Sequence, residues 1–253
     1  MTSLTVATVN INHRNDRWGE RRHLLVAEIL DHMPDLIALQ DVAILRRQGH
    51  WLRAQVNMRI GRSRREPYRL VQQRRTSGDL FAGVAILSRL PLLSSDGYAL
   101  GEGDVALRAN VLLPDGQALD FATTRLRSGA ALPETREEQA MRLVGWLNAI
   151  GRVPLQVIAG DFNETPGGPA PEKMRQQYRS AFALAHGHEP LATYPTALAP
   201  AGILAQCLDY VFVSRGISVT QAEIICRRAA AEDDTLYPSS HVGLLVTLEL
   251  HEN

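Results

Sequence analysis

The chain has 253 residues, 45% of them hydrophobic and 21% charged, with 27 basic and 27 acidic residues and no formal net charge. Such a composition is that of a soluble globular protein, and the length suits a single α/β sandwich or barrel. Neutrality gives no global reason to expect a polyanionic partner, and no run approaches the roughly 18 apolar residues of a membrane span.

The first residues, MTSLTVATVNINH, lack the basic-then-apolar pattern of a signal peptide, so a cytoplasmic location is expected. Cys207 and Cys226 are too few for a disulfide framework or a thiolate metal site, and free thiols are the economical reading. Lys173 is the one lysine. Arginine suits bidentate phosphate contacts, although a GC-rich coding bias produces the same excess.

In chain order, residues 4–11 alternate as a strand, and 18–33 carry Leu24, Leu25, Ile29 and Leu30 at helical spacing before Pro34. Residues 35–42 read as a short buried strand and 43–58 as a helix containing Gly49. Strands follow at 68–75 and 83–89 around a turn at Ser77-Gly78-Asp79. A hairpin joins 106–114 to 118–126 through Asp115-Gly116. The clearest helix is 133–151, with Pro133 and acids in its first turn and Gly151 past its end. Residues 155–162 form a strand, and 164–206 a long connection with one helix near 172–185. Three strands, 207–216, 218–226 and 241–251, end the chain. No repeat, low-complexity tract or linker divides it, so residues 1–253 read as one domain. Many strands with a few long helices point to two packed sheets with helices outside.

Polar residues recur where apolar strands end. Asp161 and Asn163 in VIAGDFNETPGG stand two apart and so face one point beyond a buried strand. Asn10 and Asn12, Gln40 and Asp41, Thr124 and Arg125, Asp209, and Ser240 and His241 repeat that placement. Each has a plainer alternative: Asn10 and Asn12 could cap turns, Asp209 could be a strand-edge acid, and His241 a satisfied core histidine. Taken together, acids, amides and one histidine without a Ser or Cys nucleophile suit a hard metal ion and an activated water. Of the remaining histidines, His13, His186 and His188 lie in or near polar loops and are the candidate extra ligands. Trp18, Trp51 and Trp146 fall on predicted helices and read as core.

The segments TVN (8–10), LIALQD (36–41), GVAILSR (83–89), TRL (124–126), GDFN (160–163), LDYVFVS (208–214) and SSH (239–241) resemble, in that order, the exonuclease/endonuclease/phosphatase family of metal-dependent phosphohydrolases. The helix TREEQAMRL (135–143) is similar to the one that follows that family's THL motif. The resemblance spans essentially the whole chain. It implies a four-layer α/β sandwich, two mixed β-sheets flanked by helices, with a site at one edge and Mg²⁺ (or Mn²⁺) as cofactor. By the same resemblance, Asp161 matches the acid that orients or deprotonates the attacking water. Asn163 matches an amide that holds the phosphate, and Asn10 and Asp41 match the metal-site positions. His241 matches the histidine on the scissile phosphate, and Asp209 the carboxylate that orients it.

Three positions depart from the family's pattern: Asp41 stands for Glu, Arg125 for His, and Ser240 for Asp. Asp41 is one methylene shorter, a deficit of roughly 1.5 Å against a magnesium shell at about 2.0–2.1 Å. Ser240 removes a negative charge, while Arg125 keeps a cation able to stabilise a phosphorane. Residues 231–234, AEDD, could supply a replacement carboxylate or form a solvated loop.

Ten arginines lie between positions 46 and 75, opposed only by Glu66. The loop around Arg62, Arg64 and Arg65 is the candidate surface for a nucleic-acid backbone, with Asn12 and Ser240 nearer the reacting phosphate. A solvated helix face without a ligand is the competing reading. The expected function is metal-dependent phosphodiester hydrolysis by a monomer, with nucleic acid as substrate. The alternatives are a weakened member that binds a phosphorylated partner, and a phosphatase acting on a small phosphoester.

Overall fold

The computed structural model describes residues 2–13, 17–61, 66–79, 81–129, 133–150 and 153–250. The first half runs β1 (Thr2–Asn10), α1 (Trp18–His32), β2 (Leu36–Ala43), α2 (Gln48–Ile60), β3 (Arg69–Arg74) and β4 (Ala82–Ser88). The second runs β5 (Leu92–Gly101), β6 (Asp104–Leu112), β7 (Ala118–Arg125), α3 (Pro133–Ile150), β8 (Leu155–Asp161), α4 (Pro169–Arg175), β9 (Arg179–Ser180) and α5 (Ala181–His186). It ends with β10 (Asp209–Val213), β11 (Ile217–Ile225) and β12 (Gly243–Leu250).

Two six-stranded sheets result, ordered β11-β12-β1-β2-β4-β3 and β5-β6-β7-β8-β10-β9. Each is mixed: β1 and β2 pair in parallel in one, β7 and β8 in the other, and the remaining neighbours are antiparallel. A parallel pair needs a crossover, and α1 and α3 supply the two.

Alternation builds the layers. Leu36 and Ala38 of β2 join Val157 and Ala159 of β8 in the core between the sheets. The intervening Ile37 and Leu39 face Leu25, Ile29, Leu52 and Val56 of the outer helices α1 and α2. Ile158 likewise turns outward to Leu143 and Leu147 of α3. Both faces of the central strands are therefore covered, which is why their sequences read as continuous apolar runs. The four-layer sandwich expected from the sequence is what forms.

Four expectations change. α2 begins at Gln48 rather than residue 43, because β2 continues to Ala43 and a turn precedes the helix. The helix placed at 172–185 is two short ones, α4 and α5, split where Arg179 and Ser180 pair with β10 and Ser180 caps α5. β5 was not expected: its Ser94-Ser95-Asp96-Gly97 resembles a turn, yet it runs as an exposed edge strand on β6. The three tryptophans are only half-buried. Trp18 meets Trp51 edge-on, and Trp146 stacks on Tyr98.

Candidate active site

The C-terminal ends of β1, β2, β7 and β8 converge at one edge of the sandwich. Asn10 is paired with Gln40 in the first sheet, and Arg125 and Asp209 flank Asp161 in the second. Gln40 holds the sheets together just beneath, donating from Nε2 to Thr8 Oγ1 and to Thr123 Oγ1, each at 2.9 Å.

Asp161 is fully buried. Its Oδ2 accepts a 2.9 Å hydrogen bond from Asn10 Nδ2 of the facing sheet, and its Oδ1 accepts one from the Asn163 backbone N–H at 2.8 Å. Asn163 takes a left-handed turn, φ 49°, which Asn tolerates, and its side chain donates to Leu126 O. The glycine before Asp161 is required by the sheet itself: a Cβ on Gly160 would stand 2.2 Å from the Thr124 carbonyl oxygen.

Asp41 reaches the site through a β-bulge. The β2–β4 register shifts between Leu39 and Val42, and Asp41 has φ 55°. Bulges re-aim side chains beside functional sites. Its Oδ1 lies 2.8 Å from His13 Nδ1 and 3.6 Å from Arg125 Nε, and Arg125 Nε is also 3.7 Å from Asp161 Oδ2. Arg125 thus stands between two carboxylates. Burial alone would raise the Asp41 carboxyl, but the Arg125 charge and His13 outweigh it and hold it at about 2. His13 is in turn raised by Asp41, and its Nε2 contacts Asp79 Oδ2 at 2.6 Å.

His241 Nδ1 contacts Asp209 Oδ2 at 2.8 Å, and both are buried. Burial pulls the imidazole down, and the Asp209 carboxylate more than restores it, so its net displacement is upward. Burial pushes the Asp161 carboxyl up, Asp209 adds to that, and His241 and Arg125 oppose it. Asp161, Asp209 and His241 each offer an atom within 4.8 Å of the others, a possible metal-binding group.

A cavity of about 440 Å³ opens over this cluster, lined on its polar side by Asn10, Asn12, His13, Asp41, Arg125, Asn163, Ser240 and His241. Asp161 and Asp209 lie beneath its floor. Asn12 Nδ2 approaches Ser240 Oγ at 3.4 Å. Arg62, Arg64 and Arg65 fall outside the described residues. Among the described arginines of that run, Arg75 reaches the site's neighbourhood, lining a small pocket with Asp41 and Arg125 and pairing with Asp104. Residues 231–234 supply no lining carboxylate, and Asp233 is engaged by Arg17 at 2.5 Å. His186 and His188 lie outside the cavity lining.

Sequence reasoning offered His13 only as a candidate extra ligand; it stands three residues past the end of β1, and the structure sets it against Asp41 and Asp79. Sequence reasoning missed Arg21. That fully buried guanidinium donates to the carbonyls of Ile11, Asn12 and Pro238, fastening the strand end to the segment before His241.

Residues 7–241 match the family model described as the Endonuclease/Exonuclease/phosphatase family. The chain belongs to this family. Its members are phosphoester hydrolases and depend on a metal. Nocturnin of Drosophila melanogaster is 30% identical over 164 residues, 60% of this chain and 25% of the fly protein. The chain therefore matches about a quarter of that relative's length. D. rerio TDP2, solved with a single-strand DNA product, superposes with a TM-score of 0.78 at 16% identity, covering 98% of this chain and all of that one. A Bacteroides thetaiotaomicron mannosyl-6-phosphatase gives 0.78 at 18%, with the same coverage. At such identities the likeness is one of fold.

One carboxylate oxygen of the site, Asp209 Oδ1, is buried and accepts no hydrogen bond among the described residues, whereas Asp41 Oδ1 is met by His13 Nδ1 at 2.8 Å. A buried anionic oxygen left this way is suited to a cation, and with the Asp161, Asp209 and His241 group beside it the donor set fits a hard divalent ion. Cys207 and Cys226 are free and buried, and no described helix is long and apolar enough to cross a membrane.

Proposed function

We propose that this chain hydrolyses phosphodiesters, with nucleic acid as the substrate class and Mg²⁺ or Mn²⁺ as cofactor. The observation that carries the reading is the Asp161, Asp209 and His241 cluster set against Arg125 beneath one polar cavity. Asn10 and Asp41 would hold the ion. When bound, a divalent ion neutralises phosphate charge and stabilises the leaving oxygen.

The chain's own residues supply the rest. Asp161, whose proton affinity is raised by burial, accepts a proton from the attacking water. Asn10 and the Asn163 backbone amide orient its two oxygens. Asp209 fixes the His241 ring through Nδ1, which leaves Nε2 to donate to a phosphate oxygen. Arg125 and Asn163 bind the remaining phosphate oxygens, and the guanidinium stays charged throughout. Asn12 and Ser240 border the same phosphate, and Arg62, Arg64 and Arg65 extend the contact along a strand. The likeness to TDP2, solved with a single-strand DNA product, supports the substrate class.

A second reading rests on Asp41: with His13 and Arg125 already upon it, the cleft binds phosphate without turnover. Linear single-stranded DNA and RNA incubated with Mg²⁺, Mn²⁺ or EDTA separate the two. Metal-dependent cleavage supports hydrolysis. Binding without cleavage by folded protein supports the second reading.

A further inference from the structure

The cavity has two unlike kinds of lining. Beside the phosphate-binding residues its lining also includes Tyr194, Leu198, Ala199, Pro200 and Leu208, with Gln206 among them. These belong to residues 190–208, PLATYPTALAPAGILAQCL, nineteen positions without a charged residue or a histidine. Positions 197–205 hold only Ala, Leu, Pro, Gly and Ile, and Leu204 is 78% exposed. An exposed apolar run in a soluble fold marks a contact surface rather than core.

This segment is fastened to the catalytic cluster. Thr193 and Tyr194 pair with Gln206 through three backbone hydrogen bonds of 2.7–3.0 Å, closing the loop. Thr193 Oγ1 accepts from the backbone N–H groups of Leu208 and Asp209, and Thr196 N–H donates to Ser240 O. The Tyr194 ring lies 4.6 Å from that of His241. The apolar wall therefore holds a fixed position relative to the reacting phosphate. Among the described residues, the basic side chains lining the cavity are His13, Arg125 and His241, and none of them belongs to this segment.

A polynucleotide threaded through the cavity would lay its next phosphate on this wall, which offers no cation of its own, and an unpaired anion against apolar groups is costly. We propose that residues 190–208 form a subsite for an uncharged, apolar substituent of the scissile phosphate. The substrate is then a phosphoester whose arm on this side bears no second phosphate: a terminal nucleoside or another apolar alcohol, not the interior of a strand. This rests on the phosphoester reading above.

The test compares scission of TpT with that of pTpTp, whose two arms both carry a flanking phosphate, in the wild type and in Ala199→Arg. We expect kcat/KM for TpT to exceed that for pTpTp by at least about tenfold, and Ala199→Arg to narrow or invert the ratio. Equal values for the two substrates overturn the proposal. So does a Leu198→Ser, Leu204→Ser double variant that alters only the oligomeric state, which would give the loop to a second copy. Turnover of bis-p-nitrophenyl phosphate by the wild type reports separately on the hydrolase reading. If that fails, calorimetry of phenyl phosphate against inorganic phosphate still decides. Tighter phenyl phosphate binding, lost in the double variant, supports the subsite, and equal affinities overturn it.

Discussion

Nδ1 of His241 lies 2.8 Å from Oδ2 of Asp209, although the two stand 32 positions apart on different sheets. Asp209 opens β10, and His241 stands just before β12, so the packing of the two sheets makes this contact. The carboxylate fixes the ring and favours its charged form, as the proposed phosphate contact through Nε2 requires.

The pH dependence follows. His241 is raised above its ordinary value near 6.5. A raised cationic group contributes stability that is complete below the unfolded value and is lost as pH rises through the folded one. Activity that needs the imidazolium should fall over the same alkaline window. In Asp209→Asn the raising partner is gone, so the alkaline limb of the rate profile should move to lower pH. A limb that stays in place would separate the dyad from the rate.

Arg21 is expected to matter for stability rather than chemistry. Arg21→Met leaves the carbonyls of Ile11, Asn12 and Pro238 without that donor. At about 1–3 kcal/mol for each unsatisfied buried acceptor, the loss should reach at least about 3 kcal/mol in chemical denaturation. A midpoint within experimental error of the wild type would contradict this.

Much of this arrangement was legible in the sequence because the central strands are buried on both faces. Their apolar runs and polar ends stand out, as at LIALQD and VIAGD, and the family's motif order then pointed to the candidate site. Elements that depend on tertiary pairing were not legible. β5 is exposed and polar, so its alternation is weak. Arg179 and Ser180 become a strand only because β10 lies beside them. The bulge at Asp41 arises from β2–β4 pairing, and His13 gains its place from Asp41 and Asp79, 28 and 66 positions away. A buried arginine such as Arg21 carries no local signal, since its partners are backbone carbonyls. Most of the apolar wall at 190–208 fell within 164–206, read simply as a connection.

Restoring the family's residues should strengthen metal binding. Asp41→Glu lengthens the carboxylate and Ser240→Asp returns a negative charge beside it. Together they should lower the dissociation constant for Mg²⁺, read by calorimetry without substrate, by about tenfold. An unchanged or weaker constant would show that His13 and Arg125, rather than ligand reach, set the affinity.

The most direct test is the rate of bis-p-nitrophenyl phosphate hydrolysis with saturating Mg²⁺, comparing the wild type with Asp161→Asn. The substitution keeps the shape of a buried side chain and removes the base. The expected result is a loss of about 10²–10⁴-fold in kcat with an unchanged circular dichroism spectrum. Wild-type turnover that survives Asp161→Asn undiminished would contradict the assignment of Asp161 as the group that activates water.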